Sequence, residues 1–324
     1  MATLNMVQAI NLALTQEMER DPDIVVLGED VGRNGGVFRV TAGLWKRFGD
    51  DRVIDTPLAE TGIVGAAVGM AASGLRPVPE IQFEGFLQST LDQLFSHAGR
   101  LRNRTRGRFG CPMVVRVPFG GGIRAPELHS DSPEAYYCHT PGLTVVIPSG
   151  PYDAKGLLVS ALRHPDPVIF FEPKRIYRAF REEVPEDEYT VPLGKARVLA
   201  DGTDLTLISW GAMVHECLKA MDRLPEDISV ELIDLRTLSP LDVDTLVASV
   251  SKTGRAVVVH EAPKTCGLGA EIAALINEKA MFKLKAPVLR VTGFDVPVPY
   301  YKLEEHHLPG PERICRAVEQ CAAL

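Results

Sequence analysis

The stretch TPLAETGIVGAAVGM, residues 56–70, places a single carboxylate, Glu60, at the start of a run of glycine, alanine and valine. Gly62, Gly65 and Gly69 are spaced three or four residues apart, which predicts one face of a helix. Each glycine costs a helix about 0.8–1.0 kcal/mol relative to alanine. We therefore expect another backbone or a ligand to approach this face, a tight helix–helix crossing being the alternative. Glu60 suits the first turn because the helix dipole favours a negative charge there.

Length and composition describe a globular protein of two domains. The 324 residues exceed one ordinary core, and 45% are hydrophobic and 24% charged. No apolar stretch reaches the roughly 18 residues of a membrane span. Residues 1–22 lack the basic head and cleavage site of a signal peptide. The six cysteines form no CxxC pair, so we expect no zinc, no disulfides and a reduced cytoplasmic compartment.

The charge balance argues against nucleic acid as a partner, because the net charge is −7. Five arginines alternate in RLRNRTRGR, residues 100–108, but no aromatic residue lies between them for base stacking. We interpret this segment as a solvated or subunit-facing surface. The glycine-rich segments FGGGIRA (119–125) and CGLGAEI (266–272) match neither a phosphate-binding loop nor a dinucleotide fingerprint, which disfavours NAD.

Short β-branched runs alternate with helical patterns along the chain. This alternation predicts an α/β protein with parallel sheets between helices. A charged, proline-containing stretch at 181–196 interrupts it, so we place the domains at 1–190 and 191–324. The stretch LDQLFSHAGRLR, residues 91–102, is predicted to be helical. The predicted strands are 23–30, 76–83, 113–122, 143–150, 167–174, 204–211, 229–240, 255–262 and 286–293.

A second candidate site lies in RAPELHSDSPEAYY, residues 124–137. His129 follows a glycine-rich loop and precedes a predicted helix start. A loop-borne histidine has the exposure of a catalytic acid or base, and a surface histidine is the alternative. The segment contains no GxSxG elbow, which argues against a serine hydrolase.

The chain resembles a known family in blocks that follow one another along nearly its full length. They are TPLAETGIVGAAVGMAASGLRPVPEIQF, GGGIRAPELHSDSPEA, HTPGLTVVIPSGPYDAKGLL, VIFFEPKRIYR, DLTLISWGAMVHE, VELIDLRTLSPLDVDTL and SKTGRAVVVHEAP. With these blocks it is similar to the β subunit of the thiamine diphosphate-dependent decarboxylating component of 2-oxo acid dehydrogenase complexes. The resemblance implies a pyrimidine-binding, transketolase-like domain followed by a transketolase C-terminal-like domain.

The same resemblance assigns the residues that hold the cofactor's pyrimidine. It implies that Glu60 binds N1′ of the ring and shares a proton with it, which leads to the reactive ylid. Burial among small residues should raise the pKa of Glu60. Leu58 should supply an apolar contact, and Phe86 should lie against the ring, with a plain core position as the alternative for Phe86.

The resemblance also implies a second catalytic residue and a proton path. His129 should sit where the lipoyl arm enters and donate a proton to the dithiolane sulfur. Glu29 and Asp92 match acidic positions that line a water-filled path between paired sites.

Metal ions and subunits are implied in the same way. Carbonyls around Cys111, Met113, Ala161 and Asp166 match a monovalent-cation site, which would take K⁺. The GDG…N motif that holds Mg²⁺ and diphosphate is absent, so an α subunit should supply it. We therefore expect a heterotetramer of two α and two β chains, and no activity from this chain alone.

The implied reaction is decarboxylation of a 2-oxo acid and reductive acylation of the lipoyl-lysine of a dihydrolipoyl acyltransferase. FFEPKRIYR and SPEAYYCHTPG slightly favour a branched-chain substrate, and ELHSDS fits a pyruvate enzyme equally well. An acetoin-cleaving enzyme, a split transketolase and a non-catalytic scaffold are also compatible with these blocks. The lipoyl domain and the subunit-binding domain of the acyltransferase are the expected partners. Lys285, where many relatives have an acidic residue, disfavours docking by simple charge pairing.

Overall fold

The β-branched runs form two large sheets between helices in the computed structural model, which describes all 324 residues. The strands up to residue 184 are β1 (Ala2–Leu4), β2 (Ile24–Gly28), β3 (Val53–Asp55), β4 (Arg76–Glu80), β5 (Val114–Phe119), β6 (Thr144–Val146), β7 (Val168–Pro173) and β8 (Glu182–Val184). The later strands are β9 (Arg197–Ala200), β10 (Leu205–Ser209), β11 (Val230–Asp234), β12 (Thr237–Ser239), β13 (Ala256–Pro263) and β14 (Leu289–Gly293). The predicted α/β class, with two mainly parallel sheets, is confirmed.

Helices occupy most of the connections between strands. The α helices are α1 (Met6–Arg20), α2 (Leu44–Phe48), α3 (Glu60–Ala72), α4 (Glu84–Leu87), α5 (Leu101–Arg104), α6 (Glu134–Cys138), α7 (Pro151–Arg163), α8 (Ala212–Met221), α9 (Val243–Thr253), α10 (Leu268–Ala280), α11 (Glu304–His307) and α12 (Pro311–Ala322). The helix predicted over 91–102 is not one continuous α helix, because a π-helix at Gln93–Ala98 precedes the short α5.

The first sheet has seven strands in the order β12-β6-β7-β5-β4-β2-β3. Its inner strands are parallel, and β5 and β7 are buried along their whole length because helices cover both faces. The prediction of one strand over 229–240 is wrong, because this stretch forms two strands, β11 and β12. The chain turns at Arg236, whose φ of 56° lies in the left-handed region, and β12 then pairs antiparallel with β6.

The second sheet has the order β14-β13-β10-β11-β9, parallel except for β9 at its edge. A separate antiparallel ribbon joins β1 to β8. The division of the chain between residues 190 and 191 stays a prediction. No helix combines the length and the apolar character that crossing a bilayer requires. All six cysteines are free thiols.

Candidate active site

The carboxyl ends of β2, β4 and β5 lie at one edge of the first sheet, which is where parallel α/β sheets bind ligands. Glu29 directly follows β2, and Phe86 lies in α4 just after β4. His129 lies in the loop that follows β5, and Glu60 begins α3 after β3. The parallel topology therefore places four of the predicted site residues at the same edge, although they are far apart in sequence.

Two carboxylates lie near each other at this edge. Burial raises the pKa of Glu29, and the negative charges of Glu60 and Asp30 raise it further. Glu29 is 8% exposed, and its Oε1 atom is buried without a hydrogen-bond partner. A buried carboxyl oxygen without a partner, beside a second carboxylate, is suited to holding a proton or a ligand donor.

The glycine face of α3 is open. Gly62 and Gly69 are exposed, and a Cβ built at Gly69 would meet nothing within 4 Å. A Cβ at Gly65 would meet only the side chain of Gln93, at 3.4 Å. The close approach predicted from the glycine spacing is therefore not made within this chain. Glu60 is half-buried, so this chain alone does not provide the dry environment expected for it.

Leu58 and Asp92 do not join the buried cluster. Leu58 is 79% exposed, so its side chain is free to contact a ligand or a partner. Asp92 is exposed on the segment before the π-helix, and its side chain does not cap that helix. The water-filled path between paired sites that Glu29 and Asp92 are predicted to line stays a prediction, because it extends beyond one chain.

Two phenylalanines enclose the imidazole of His129. Its ring centroid lies 4.1 Å from that of Phe83 and 5.1 Å from that of Phe86, the latter edge-on. All three residues are half-buried. Phe86 therefore lies beside His129 rather than in the deep core, and Phe83 is a neighbour of His129 that the sequence did not single out.

A hydrogen bond fixes which nitrogen of His129 carries the proton. Nδ1 lies 2.7 Å from the carbonyl oxygen of Glu127, and a carbonyl can only accept. Nδ1–H is therefore the donor, which leaves Nε2 as the atom that takes up or releases a proton.

The loop that carries His129 approaches α4 because residue 85 is glycine. A Cβ at Gly85 would lie 2.2 Å from the carbonyl oxygen of Leu128, closer than any side chain allows. Leu128 has a φ of 65°, in the left-handed region that leucine rarely adopts. The glycine of QFEGF thus permits the tight turn that presents His129.

A buried ion pair lies beneath this turn. Lys174, immediately after β7, donates from Nζ to the two carboxylate oxygens of Glu84 at 2.8 and 2.6 Å. The same atom donates to the carbonyl oxygen of His129 at 2.8 Å. Burial raises the pKa of Glu84 to about 7 and lowers the pKa of Lys174.

The second domain holds the other end of the loop. Glu304 accepts from the N–H groups of Gly122 and Arg124 at 2.9 and 2.7 Å. Glu261 accepts from the N–H of Gly121 at 2.8 Å. These bonds tie the loop to the second domain, and the one to Gly121 satisfies an N–H that would otherwise be buried unpaired.

A second buried network lies deeper in the first sheet. Arg116 donates to Glu80 at 2.7 Å and, in a two-pronged arrangement, to Glu172 at 2.7 and 2.9 Å. The hydroxyl of Tyr177 also donates to Glu172, at 2.6 Å. The network links the ends of three neighbouring strands below the site.

The residues predicted to bind a monovalent cation lie near the ends of β5, α7 and β7 that face away from His129. The carbonyls of Cys111, Met113 and Ala161 each accept one backbone N–H. The carboxylate of Asp166 pairs with the guanidinium of Arg102 at 2.7 Å. These bonds leave carbonyl lone pairs free, so the cation site stays a prediction.

Sequence reasoning missed Phe83, Glu84, Lys174, Glu261 and Glu304. The signal for the first three was present, because QFEGF and FFEPKR both lie at the carboxyl ends of predicted strands, at the ligand-binding edge.

Comparison with known proteins places these features in a family. The model of the transketolase pyrimidine binding domain matches residues 2–179, and that of the transketolase C-terminal domain matches residues 194–314. A Bacillus subtilis (strain 168) protein named pyruvate dehydrogenase E1 component subunit beta is 56% identical over 311 residues, which cover 96% of each chain. A protein of the same name from Acholeplasma laidlawii is 54% identical over 323 residues, 99% of each chain.

A solved structure shares the fold. It is described as a split gene transketolase, inactive beta4 tetramer, and superposes with a TM-score of 0.76 at 23% identity. The match covers 100% of this chain and 99% of that one, so the likeness extends over both domains.

Proposed function

Because this chain belongs to the β subunits of the thiamine diphosphate-dependent 2-oxo acid dehydrogenases, we propose that it is the β subunit of a pyruvate dehydrogenase. Together with an α subunit, it decarboxylates pyruvate and reductively acetylates a lipoyl-lysine. The observation that carries the proposal is the arrangement at one sheet edge of the Glu29 and Glu60 carboxylates and of His129 between two phenylalanines.

Pyruvate replaces the branched-chain substrate that the sequence slightly favoured. The relatives at 54% and 56% identity are both named for pyruvate, and they support the pyruvate substrate that ELHSDS fits. FFEPKRIYR is therefore not a reliable indicator of a branched-chain substrate.

The residues present fit the pyrimidine half of thiamine diphosphate. Glu29 offers a buried oxygen without a partner, and Leu58 and Phe86 offer apolar surfaces to a flat ring. Glu60 would hold the ring nitrogen N1′ and exchange a proton with it. Bound thiamine diphosphate supplies the electron sink for cleaving a carbon–carbon bond beside a carbonyl.

His129 acts in the second half of the reaction. When the dithiolane ring of lipoyl-lysine opens, one sulfur leaves as a thiolate and needs a proton. His129 first takes up a second proton on Nε2 and then donates that proton to the sulfur, while Nδ1–H stays on the carbonyl of Glu127. Phe83 and Phe86 limit the positions that the imidazole can take.

The rest of the site belongs to an α subunit in a heterotetramer of two α and two β chains. The chain lacks a GDG…N motif, so the α subunit holds the diphosphate and Mg²⁺. The open face of α3, with Gly62 and Gly69 exposed, is the surface where we place a helix of another subunit. A K⁺ ion held by the carbonyls of Cys111, Met113, Ala161 and Asp166 remains part of this proposal.

The acyltransferase is the second partner, through its lipoyl and subunit-binding domains. Lys285 donates to the carbonyl of Thr253 at 3.3 Å, so its positive charge is held at this surface. Docking there would rely on apolar contact with the exposed Met281 and Phe282 rather than on an acidic residue at 285. We place the complex in the cytoplasm, in keeping with six free cysteines.

The test is to purify the chain with its α subunit and to compare pyruvate with branched-chain 2-oxo acids. We expect pyruvate to be decarboxylated with the higher kcat/KM. Glu60→Ala should lower turnover by about 10²–10⁴-fold. Glu312→Ala is the matched control, because Glu312 also lies in the first turn of a helix but on the second domain.

Three results would contradict the proposed function. A preference for branched-chain acids would restore the sequence-based expectation. Ketol transfer or acetoin cleavage without lipoyl acetylation would indicate another thiamine enzyme. Unchanged turnover in Glu60→Ala would indicate a scaffold subunit.

A further inference from the structure

The Lys174–Glu84 pair is buried beside a loop whose catalytic residue it touches. Both side chains have no exposed surface. An ammonium group has three N–H donors, and here two go to Glu84 and the third to the carbonyl of His129. A buried pair of this kind contributes little net stability compared with well-packed apolar residues. Its geometry, rather than its contribution to stability, is therefore what needs an explanation.

The pair restrains the turn at His129 from the backbone side. Lys174 holds the carbonyl of His129, and the carbonyl of Glu127 accepts from Nδ1 of the same residue. The Lys174 ammonium also lies 5.4 Å from the ring centroid of Phe83, which itself packs 4.1 Å from the imidazole. The backbone of His129 and its aromatic neighbour Phe83 thus both contact one ammonium group, and the imidazole is held separately by Glu127.

We propose that Lys174 is a positioning residue for His129 in acyl transfer, and that Glu84 keeps the ammonium group in place. Lys174 does not touch the substrate; it fixes the direction in which Nε2 presents its proton. A misplacement of about 1 Å can cost about 10²-fold in rate, so this restraint matters for a proton donor. The inference rests on the proposed role of His129 in lipoyl acetylation.

The experiment separates the two half-reactions in the complete α–β complex. Pyruvate decarboxylation is measured with ferricyanide as electron acceptor, and acetyl transfer is measured with an isolated lipoyl domain. We expect Lys174→Met to lower kcat for acetyl transfer by about 10- to 100-fold, with KM for the lipoyl domain changed less than about 2-fold. The ferricyanide rate should fall by less than about 3-fold.

Two further variants separate positioning from folding. Glu84→Gln keeps a neutral acceptor and the bond from Lys174 to His129, so it should reduce acetyl transfer less than Lys174→Met. The double variant Lys174→Met with Glu84→Leu removes the unpaired carboxylate, and it should fold and still transfer acetyl groups slowly.

Lys155→Met is the matched control. Lys155 is also a buried lysine, and it donates to the carbonyls of residues 185–187 at 2.6, 3.2 and 2.8 Å, away from the site. Its loss should leave the ratio of the two rates as in the wild type. A parallel fall of both rates in Lys174→Met, or wild-type acetyl transfer in the assembled double variant, would overturn the proposal.

A readout independent of turnover completes the test. Amide hydrogen exchange across residues 126–131 should be faster in the double variant than in the wild type and unchanged in Lys155→Met. If the wild-type complex did not act on pyruvate, the proposed function would fail, yet exchange would still show whether Lys174 restrains the loop. Unchanged exchange in the double variant would contradict the restraint itself.

Discussion

The buried ion pairs beneath the His129 loop are hydrogen-bonded, whereas two buried titratable groups between α6 and the second sheet are not. Arg116 bonds to Glu80 and Glu172 below the site. In contrast, neither carboxyl oxygen of Glu134 and neither ring nitrogen of His260 has a hydrogen-bond partner. The two regions are both dry, so burial alone does not decide whether a group keeps its charge.

The unpaired groups are held neutral instead. Burial raises the pKa of Glu134 to about 8, and the nearby charge of Glu261 raises it further. Burial lowers the pKa of His260 to about 4, and its neutral ring stacks on Trp210 with centroids 5.2 Å apart. Near neutral pH these side chains therefore act largely as packing groups. The chain keeps buried charges where hydrogen-bond geometry at the strand ends requires them.

The largest loss of stability should come from breaking the buried network of Arg116, Glu80 and Glu172. Arg116→Met leaves Glu80 and Glu172 buried without their cation, and it should lower the free energy of unfolding by about 3–5 kcal/mol. Denaturant unfolding of the isolated chain measures it. A loss below about 1 kcal/mol would mean that the carboxylates simply take up protons, and the two regions would then not differ.

Glu134→Gln tests whether Glu134 is held neutral in the folded protein, through the dependence of stability on pH. The folded pKa of about 8 lies above the ordinary value of 4.5, so the folded state holds a proton that the unfolded state has released between these values. Wild-type stability must then fall as pH rises through this window, by up to about 1.4 kcal/mol per pH unit. Glutamine removes this slope, so the variant should gain stability relative to the wild type between pH 5 and pH 8. Thermal melts at several pH values would show it, and parallel curves would refute it.

Gly85→Ala tests whether the Lys174–Glu84 pair depends on the tight turn at Leu128 that lies above it. The new Cβ would meet the carbonyl of Leu128 at 2.2 Å, so the loop must move away from Lys174. We expect a loss of about 1–3 kcal/mol in stability and a larger fall in acetyl transfer than in decarboxylation. Gly69→Ala is the control for stability, because that position is open and helical. Equal effects of the two substitutions on stability would show that the turn is not tight.

The smallest loss of stability should come from breaking an ion pair at the surface. Arg102 and Asp166 form an ion pair, but their side chains are 44% and 28% exposed. Arg102→Met should therefore change the free energy of unfolding by only about 0–1 kcal/mol. The same denaturant experiment measures it beside Arg116→Met. A loss as large as that of Arg116→Met would show that burial is not what separates the two pairs.

Much of the fold could be predicted because the inner strands are continuous β-branched runs. The edge that gathers Glu29, Phe86 and His129 also followed from the order of those strands. The crossing of β12 into the first sheet could not be predicted, because it depends on the left-handed backbone of Arg236. An arginine carries no sequence signal for that conformation.

The buried pair that supports the His129 loop could not be predicted either. Glu84 and Lys174 are 90 residues apart, and residues of these types are usually exposed. Only the folded sheet brings the ends of β4 and β7 close enough to bury them as a pair. The open face of α3 is a different case, since its small residues were recognised but no backbone of this chain approaches its glycines closely.

The antiparallel strand β12 has a consequence for protein engineering. It lies beyond the charged segment at 181–196, yet it completes the sheet of the preceding domain beside β6. A chimaera that exchanged everything after residue 190 with a homologue would give that sheet an edge strand from a different parent. A fragment that stopped at residue 190 would leave β6 as an unprotected edge, which is prone to aggregation. Recombination should therefore keep Thr237–Ser239 with the parent that supplies β6.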